Sequence, residues 1–492
     1  MTYFDSENIN IVDDLLNRAC IDKTNIKTDS RQVLPGDVFF AVKGAVFDGH
    51  CYICDVLKKG ARIVFCEKKP SGLTQEELKR VITVNDVREA LGYTAKHVFG
   101  NPSERINVFA VTGTNGKTTT VFLINALLNA HGNSSAFVST VFTQKRNNLF
   151  ARSVLTTPDV LTLNGFLSDM FLDGKNSAVI EVSSHALNQK RVYGINLDSA
   201  VFTNITPEHL DYHKNMTAYL NDKSKIFQNL KPHGLAVLNV DDPMVIGLKK
   251  VIDFPEFVGF GMSKDADIRA ENVKLSASGL EFNLVVKGYG QVFIRSRLIG
   301  AHNVYNILSA VGAVINKDIN LKIVKNALES FVEVPGRLEY VPSKAPFKVF
   351  VDYAHTPDAL KNLLETLRLL TKRQLICVFG CGGNRDKSKR PLMGQIASKF
   401  CDKVILTNDN PRMEEPDEIL KDIEKGMVKG SGYSIISQRE DAIGVAINLA
   451  EPGDIVVIAG KGHENYQIIG SRVIPFDDRE VVKVKFMAKG YM

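Results

Sequence analysis

The sequence predicts an α/β protein divided into three domains. At roughly 150 residues per domain, a chain of 492 residues is expected to form about three. Beyond the first hundred residues, short apolar or β-branched runs end in Gly-, Asn- or Asp-rich turns and lead into helical patterns, which is typical of parallel α/β units. A content of 44% hydrophobic and 24% charged residues excludes a disordered or collagen-like chain.

Two changes of pattern predict the domain boundaries. The segment NPSER at 101–105 has the composition of a linker and precedes the first strong strand pattern. The turn-like segment VPGRLE at 334–339 precedes a second series of strand and helix patterns, which predicts a separate doubly wound sheet. We therefore expect domains over residues 1–102, 103–335 and 336–492.

Charge and cysteine content narrow the class of protein. The net charge of +6 is spread along the chain, which argues against a nucleic-acid-binding protein. The acidic N-terminus and the lack of a long apolar run predict a cytoplasmic chain without membrane insertion. Seven cysteines form an odd set in a long chain of this kind, so we expect all of them, including the pair Cys51 and Cys54, to be reduced and structural.

The strongest chemical signal is a glycine-rich loop between a strand pattern and a helix pattern. Backbone N–H groups of such a loop wrap phosphates, a lysine neutralises their charge, and a following hydroxyl reaches Mg²⁺. Val111 occupies the position where the usual motif has its first glycine, so the loop departs from the standard spacing. The alternative is a glycine turn with an exposed lysine. The loop residues predicted to hold phosphate groups are Gly113, Thr114, Asn115, Gly116, Lys117, Thr118 and Thr119.

A triphosphate site requires a divalent metal, and Mg²⁺ prefers one or two carboxylates together with waters and phosphate oxygens. Glu181 interrupts an apolar strand near its carboxyl end, where an acid must be solvated, paired or metal-bound. His209 could supply a nitrogen ligand or a supporting contact. The alternatives are a salt-bridged acid and a solvent-facing loop histidine.

Three further clusters have less specific interpretations. Ser183, Ser184 and His185 are consecutive, but the G-x-S-x-G motif of a serine hydrolase is absent. The loop FGCGGNRD at 379–386 resembles a dinucleotide-binding fingerprint, but no acid at the end of the next strand is placed to bind a ribose. The loop is therefore interpreted as a substrate loop that carries Arg385. The segment KSKR at 387–390 is expected to be a solvated basic face.

Ten ordered motifs together resemble the Mur ligase family: TGTNGKTTT (112–120), TTPD (156–159), EVSSHAL (181–187), TNITPEHLDYH (203–213), GAHNVYN (300–306), PGRLE (335–339), VDYAHTPDAL (351–360), GCGGNRDKSKRP (380–391), DNPR (409–412) and GKGHENYQ (460–467). The resemblance covers nearly the whole chain. It implies an N-terminal domain that binds UDP, a central P-loop ATPase with a mainly parallel sheet, and a Rossmann-like C-terminal domain that binds the amino acid.

The resemblance also implies a reaction. An enzyme of this kind uses ATP and Mg²⁺ to join meso-2,6-diaminopimelate to the D-Glu γ-carboxylate of UDP-N-acetylmuramoyl-L-Ala-D-Glu, through an acyl phosphate, in peptidoglycan precursor synthesis. We expect a monomer. The alternatives are the same ligase using L-lysine, a ligase like folylpolyglutamate synthetase, and a non-catalytic ATP-binding regulatory protein.

The resemblance to the family implies functional roles for particular residues. Those implied for catalysis are Lys117, Glu181, His209 and Lys223, with metal binding by Thr118, Glu181, His209 and a carbamylated Lys223. The neighbouring Lys225 leaves the register of the carbamylated lysine open. Beyond the loop, ATP contacts are implied for Asn303, Arg337 and Asp352, Asn303 being alternatively a surface polar residue. The UDP-muramoyl-dipeptide contacts are Ser30, Thr156, Thr157, Ser183, Gln189 and Arg191.

The implied diaminopimelate contacts are Arg385, Asp409, Asn410, Pro411, Arg412, Gly460 and Glu464. Diaminopimelate is lysine with an additional carboxylate, and the planar guanidinium of Arg412 can bind a carboxylate through two hydrogen bonds. Glu464 is expected to meet an ammonium group. The alternative is that DNPR is a proline-containing turn with an exposed arginine.

Overall fold

The computed structural model describes residues 21, 23–44, 47–153, 155–276, 279–315, 320–428, 430 and 432–492. Three β-sheets follow one another along the chain, and helices cover them, so the predicted α/β class is confirmed. The predicted boundaries near 102 and 335 lie between sheets, after β4, which ends at Thr83, and after β15, which ends at Ser296. The boundaries themselves stay predictions.

The N-terminal sheet has four parallel strands in chain order: β1 Ile26–Lys27, β2 Val38–Phe40, β3 Ile63–Cys66 and β4 Val81–Thr83. Its helices are Ile53–Lys58, Gln75–Leu78 and Val87–Val98, and short 3-10 turns cover Ser30–Gln32, Gly49–Tyr52 and Pro102–Glu104. The longest helix begins where the Asp86 carboxylate accepts hydrogen bonds from the backbone N–H groups of Arg88 and Glu89.

The central sheet has eleven strands: β5 Asn107–Thr112, β6 Ser135–Val138, β7 Phe142–Gln144, β8 Phe150–Arg152, β9 Ser177–Glu181, β10 Leu197–Phe202, β11 Leu230–Asn239, β12 Glu256–Gly261, β13 Ile268–Ser276, β14 Gly279–Val286 and β15 Gly290–Ser296. Their order is β15-β14-β13-β12-β11-β10-β5-β9-β6-β7-β8. The strands from β13 to β6 pair in parallel, and both edges continue as antiparallel strands that the sequence patterns did not predict.

Helices cover both faces of the central sheet: Lys117–Ala130, Val160–Leu172, Ser184–Asn188, Leu210–His213, Met216–Ser224, Pro243–Gly247, Ala301–Val314 and Leu321–Ser330. Shorter 3-10 turns are Arg146–Asn148, Lys225–Asn229 and Leu248–Lys250. Along β5, Phe109 and Val111 belong to the core on one face, and Val108 and Ala110 to the core on the other. This alternation follows from the two-residue period of a strand, and each fully buried valine contributes about 1.5–3 kcal/mol through apolar burial.

The C-terminal sheet has six strands: β16 Glu339–Tyr340, β17 Lys348–Asp352, β18 Leu375–Phe379, β19 Lys403–Leu406, β20 Gly432–Ile435 and β21 Ile455–Ala459. Their order is β16-β17-β21-β18-β19-β20, and every pair except β16 with β17 is parallel. The helices are Pro357–Leu370, Lys389–Phe400, Pro416–Glu424, Arg439–Leu449 and Asp478–Ala488, and strands β22 Tyr466–Ile469 and β23 Arg472–Pro475 form a separate hairpin.

Two sequence-based expectations concern the chain as a whole. The helices of the described residues include none that is long and apolar enough to cross a bilayer. Six cysteines lie within the described ranges and all are free, whereas Cys20 falls outside them.

Candidate active site

The carboxyl ends of the parallel strands in the central and C-terminal sheets open on one cleft of about 1400 Å³. Residues that directly follow β5, β9 and β10 line one side, and residues that follow β17, β18, β19 and β21 line the other. Ligands of parallel α/β sheets bind at this edge, because loops and helix N-termini converge there.

Most of the predicted site residues line this cleft: Thr114, Asn115, Gly116, Lys117, Thr118, Thr119, Thr156, Thr157, Glu181, Ser183, Arg191, His209, Asn303, Arg337, Asp352, Arg385, Asp409, Asn410, Arg412, Gly460 and Glu464. Five others are not among its lining residues: Ser30, Gly113, Gln189, Lys223 and Pro411. Of these, Ser30 lies in a 3-10 turn of the N-terminal domain, where its carbonyl accepts a hydrogen bond from Lys59 at 2.8 Å.

The glycine-rich loop has the conformation that its glycines permit. Gly113 has φ +144°, and a Cβ there would lie 1.9 Å from Thr203 Oγ1. Gly116 has φ +84°, and a Cβ there would lie 2.2 Å from Asn306 Oδ1. Glycine alone tolerates both the backbone angle and the close approach. The helix Lys117–Ala130 begins directly after this loop, so its N-terminus points at the cleft.

The ammonium group of Lys117 is folded back onto its own loop. Its Nζ donates to the carbonyl oxygens of Gly113 at 3.0 Å and Thr114 at 2.7 Å. Burial lowers the pKa of Lys117, although the carboxylates of Glu181 and Glu208 oppose the change. The lysine is therefore held at the loop by backbone acceptors that a phosphate group could replace.

Glu181 ends β9 and is 1% exposed. Its carboxylate accepts hydrogen bonds from Thr118 Oγ1 at 3.0 Å, Thr140 N at 2.8 Å and Thr140 Oγ1 at 2.8 Å. The acid in the apolar strand is thus satisfied by hydrogen bonds, as a buried carboxylate requires. Thr118 and Glu181 place a hydroxyl and a carboxylate side by side at the phosphate loop, which is the donor set that fits Mg²⁺ bound to a nucleotide.

Lys223 lies beneath the glycine-rich loop and is 1% exposed. Its Nζ donates to the carbonyl oxygen of Gly113 at 2.6 Å and lies 4.7 Å from the centre of the Tyr219 ring. Burial, together with the charge of Lys117, places the pKa of Lys223 well below its usual value. Lys225 instead pairs with Asp222 at 2.5 Å and is 40% exposed in its side chain, so only Lys223 faces the loop.

Glu208 is a cleft residue that the sequence analysis missed. Its Oε1 lies 3.7 Å from His209 Nε2 and 3.8 Å from Nε2 of His355, which belongs to the C-terminal sheet region. Burial opposes ionisation of Glu208, but His209, Lys117, His355 and Lys223 lower its pKa overall. Its signals in the sequence were its position next to the predicted ligand His209 and its place in the motif TNITPEHLDYH.

Side chains from the C-terminal part of the chain reach the phosphate loop directly. Arg337 Nη2 donates to Thr118 Oγ1 at 3.0 Å, and Asn115 Nδ2 donates to Asp358 Oδ2 at 2.7 Å. Asp352 accepts hydrogen bonds from the backbone N–H groups of Leu338 at 2.6 Å and Ala354 at 2.7 Å. Burial raises the pKa of Asp352, against the effect of Arg337. Asp352 thereby fixes the segment that carries Arg337.

Asn303 is 6% exposed, so the alternative of a surface polar residue is wrong. Its Nδ2 donates to the carbonyl of Ile299 at 2.8 Å, and its Oδ1 accepts from Asn306 Nδ2 at 2.8 Å. Asn306 in turn contacts Gly116, which connects the helix Ala301–Val314 to the phosphate loop.

The residues predicted to hold the muramoyl-dipeptide form a connected group. Arg191 Nη1 donates to the carbonyl of Thr157 at 2.9 Å, and Arg191 Nη2 donates to Gln189 Oε1 at 2.7 Å. Ser183 Oγ lies 3.4 Å from Thr157 Oγ1 and caps the helix Ser184–Asn188. Gln189 orients Arg191 from outside the cleft, and Arg191 lines it.

Ser184, His213 and Asp222 are arranged as in a serine hydrolase, but they lie away from the cleft. His213 Nε2 is 2.9 Å from Ser184 Oγ, and His213 Nδ1 is 2.8 Å from Asp222 Oδ2. Ser184 is 2% exposed and is not among the lining residues. A substrate could not reach its hydroxyl, so the group supports the fold beside Lys223.

At the other end of the cleft, Arg412 adopts a left-handed backbone with φ +52°. Its Nη1 donates to the carbonyl of Gly383 at 2.9 Å, so the DNPR turn and the loop that carries Arg385 lie together. Arg412 is half-buried and Arg385 is exposed, and both line the cleft. Asn410 Nδ2 donates to Glu464 Oε2 at 2.9 Å.

The prediction that KSKR at 387–390 forms a solvated basic face is wrong for its last residue. Arg390 is 0% exposed and pairs with Glu414 at 3.0 Å and Asp422 at 3.0 Å. Lys389 is half-buried and donates to the carbonyl of His355 at 2.8 Å. The two acids lie 24 and 32 residues further along the chain, so no local pattern connects them to Arg390.

Comparisons with known proteins cover most of the chain. Residues 23–98 match the model described as Mur ligase family, catalytic domain, residues 111–314 match the Mur ligase middle domain, and residues 336–462 match the Mur ligase glutamate ligase domain.

Individual relatives match over nearly their full lengths. A protein of Syntrophomonas wolfei named UDP-N-acetylmuramoyl-L-alanyl-D-glutamate–2,6-diaminopimelate ligase is 42% identical over 93% of both chains. A protein of the same name from Geobacillus kaustophilus is 41% identical over 94% of this chain and 95% of its own. A solved structure of a ligase of this name is 33% identical, with a TM-score of 0.66 over 95% of both chains. By these matches, the chain belongs to the Mur ligase family.

Proposed function

We propose that this chain is an ATP-dependent amide ligase that joins meso-2,6-diaminopimelate to the D-Glu γ-carboxylate of UDP-N-acetylmuramoyl-L-Ala-D-Glu, in peptidoglycan precursor synthesis. The observation that carries the proposal is the single cleft into which the phosphate loop, the Thr118 and Glu181 pair, Arg191 and the DNPR turn all open. Two anions and an amine must meet in this reaction. Basic side chains from both the central and the C-terminal sheet regions line the cleft, which supports the proposal.

In the first step, an oxygen of the γ-carboxylate attacks the γ-phosphorus of ATP, the bond to the bridging oxygen breaks, and ADP leaves. The product is an acyl phosphate. Lys117 neutralises charge on the β- and γ-phosphates, exchanging its present bonds to the Gly113 and Thr114 carbonyls for phosphate oxygens. Arg337 adds a second positive charge at Thr118, from the C-terminal side of the cleft.

Mg²⁺ would be held by Thr118 and Glu181 together with phosphate oxygens, with His209 as a further ligand or supporting contact. When bound, it supplies charge neutralisation between the carboxylate and the phosphates. The described residues contain no group of three or more His, Cys, Asp or Glu side chains that could hold a metal. Phosphate oxygens and waters therefore have to complete the coordination, as Mg²⁺ prefers.

Lys223 is the residue proposed to be carbamylated. Only a neutral amine can attack CO₂, and the lowered pKa of Lys223 favours the neutral form. Carbamylation converts a hydrogen-bond donor beneath the loop into an anion, which could then bind a cation. The unmodified Lys223 donates to the carbonyl of Gly113 and presents no anionic oxygen to a cation.

In the second step, the amine of the incoming amino acid attacks the acyl carbon, the carbon–oxygen bond to phosphate breaks, and inorganic phosphate leaves. One proton leaves the nitrogen as the amide forms. Arg385 and Arg412 are proposed to hold carboxylates of the diamino acid, and Glu464 its second ammonium group. Asp409, Asn410 and Gly460 line this end of the cleft, and Pro411 is proposed to hold the turn that carries Arg412.

Ser30 is proposed to hold the UDP end of the substrate. The muramoyl-dipeptide is proposed to contact Thr156, Thr157, Ser183 and Arg191, and Gln189 orients Arg191. The nucleoside of ATP is proposed to contact Asn303 and Asp352. We propose a monomer that acts in the cytoplasm, where its co-substrate ATP is available.

Trapping of the acyl phosphate tests the proposal. With ATP and the UDP-dipeptide but no amino acid, reduction by borohydride should convert the D-Glu γ-carboxyl into an alcohol, visible as a mass change in the nucleotide product. A folylpolyglutamate synthetase would instead modify a folate, and a regulatory ATP-binding protein would modify neither. Absence of the reduced nucleotide alongside ligation of a folate would refute the assignment.

A further inference from the structure

A buried lysine contacts two of the residues at the amino-acid end of the cleft. Lys461 follows β21, is 0% exposed, and lies between Gly460 at φ +114° and Gly462 at φ +52°. A Cβ at Gly462 would lie 2.7 Å from Tyr353 Cβ, so this turn tolerates only glycine there. The tight turn holds the side chain of Lys461 in the interior.

Lys461 forms a closed group with two predicted site residues. Its Nζ donates to Glu464 Oε2 at 2.9 Å and to Asn410 Oδ1 at 3.2 Å. Asn410 Nδ2 donates to the same Glu464 oxygen at 2.9 Å. The backbone N–H of Ile468 also donates to Asn410 Oδ1 at 3.0 Å. With two donors on its oxygen and an acceptor at its nitrogen, the Asn410 amide has one satisfied orientation.

This group leaves the two oxygens of Glu464 in different situations. Oε2 accepts two hydrogen bonds, whereas no hydrogen bond within the described part of the chain reaches Oε1. Glu464 and Asn410 line the cleft, but Lys461 does not. A fully buried ammonium group must keep its charged partner, because an unpaired buried charge is costly. Lys461 therefore fixes Glu464 with Oε1 as the acceptor available to a ligand.

We infer that Lys461 is a positioning residue for the diamino acid. It acts through Glu464 and Asn410, holding the Glu464 carboxylate in an orientation in which Oε1 receives the second ammonium group of the substrate. This inference rests on the proposed function, because it requires that a diamino acid occupies this end of the cleft. Lys461 is therefore expected to affect selectivity for the second ammonium group of the substrate without contacting the substrate itself.

The test compares steady-state kinetics of Lys461→Met with the wild type, at saturating ATP and UDP-dipeptide. Methionine has a similar length and no charge. We expect the KM for the diamino acid to rise by about tenfold or more, as for a lost hydrogen bond to a charged group, while the KM for ATP changes by less than about twofold. Lys461→Gln keeps a donor and should lie between the two.

A double-mutant cycle with Glu464→Gln separates positioning from general damage. If Lys461 acts through Glu464, the double variant should have a KM for the diamino acid no more than about twofold above that of the worse single variant. If the increases in KM for the diamino acid caused by the two single substitutions multiply in the double variant, the inference is overturned. The control is Lys421→Met, because Lys421 pairs with Glu418 at 2.8 Å with the same three-residue spacing, but both side chains are exposed. It should leave every KM unchanged.

Other outcomes also decide the matter. An unchanged KM for the diamino acid in Lys461→Met, or an equal rise in the KM for ATP, would contradict the inference. Failure of both Lys461 variants to fold would assign the lysine to the fold and would also contradict it. The activity of the wild type separates failure of the proposed function from failure of the Lys461 inference. If the wild type ligates no diamino acid, the proposed function is wrong. If the wild type ligates it normally and the Lys461 variant is unaffected, only the role of Lys461 is refuted.

Discussion

Arg337 Nη2 lies 3.0 Å from Thr118 Oγ1, and the same hydroxyl lies 3.0 Å from Glu181 Oε2. A side chain just before the C-terminal sheet thus completes a site that begins in the central sheet. Asn115 and Asp358 make a second link of this kind, at 2.7 Å. The phosphate loop and Glu181 are therefore hydrogen-bonded to two segments of the C-terminal part of the chain, those that carry Arg337 and Asp358.

Replacement of Lys117 tests the phosphate site. We expect Lys117→Ala to lower kcat by about 10²–10³-fold or more, because the residue stabilises charge that develops on phosphate. The free energy of unfolding should change by less than about 1 kcal/mol, since the lysine is bonded only to backbone carbonyls of its own loop. Lys287→Ala, at a lysine with a 77% exposed side chain, is the control. Near-wild-type turnover of Lys117→Ala would contradict the proposal that the glycine-rich loop binds the phosphates of ATP.

Replacement of Lys223 tests the carbamate. Lys223→Ala should lose most activity and regain part of it with a short-chain carboxylate, which restores the missing anion. Depletion of CO₂ should inactivate the wild type, and bicarbonate should restore it. Lys225→Ala should retain activity, because Lys225 is directed to Asp222 rather than to the loop. Carboxylate rescue of Lys225→Ala instead would mean that the wrong lysine had been chosen.

Much of this site was predictable because its residues lie in local patterns. The glycine-rich loop directly follows an apolar strand and Glu181 ends another, and parallel strands bring their carboxyl ends to one edge. Lys461, Glu208 and Arg390 were missed or misinterpreted, since their roles come from partners distant in sequence. Arg390, for example, is buried by two acids that no periodic pattern connects to it. The antiparallel edges of the central sheet were missed for a similar reason, because edge pairing depends on tertiary contacts.

Replacement of Arg412 tests the recognition of the amino acid. Arg412→Ala should lose preference for diaminopimelate over L-lysine, because the guanidinium would no longer bind the additional carboxylate. The KM values for ATP and the UDP-dipeptide should stay within about twofold of the wild type. Arg472→Ala, at an exposed position on the hairpin beside Arg412, should keep the preference. If Arg412→Ala keeps the preference, another residue must bind the additional carboxylate of diaminopimelate.

His463 predicts an acid-dependent loss of stability. It is 8% exposed, and burial, with the charges of Arg337, Arg479 and Arg152, lowers its pKa from 6.5 to about 3. Below pH 6.5 the unfolded chain binds this proton while the folded chain does not, so stability falls as the pH falls. Between about pH 7 and pH 5 the wild type should lose about 2 kcal/mol more than His463→Gln, measured by chemical denaturation. Parallel pH profiles for the two proteins would contradict this.

Turnover of the wild type across a panel of amino acids tests the proposed activity most directly. Phosphate release would be measured with ATP and UDP-N-acetylmuramoyl-L-Ala-D-Glu, in the presence of meso-diaminopimelate, L-lysine or no amino acid, with the ligated nucleotide identified by mass. We expect release to require all three substrates and kcat/KM for meso-diaminopimelate to exceed that for L-lysine by roughly 10⁴–10⁵-fold, because an unpaired guanidinium in the pocket would reject lysine. Comparable kcat/KM values for the two amino acids would contradict the specificity, and phosphate release without a ligated nucleotide would contradict the ligase itself.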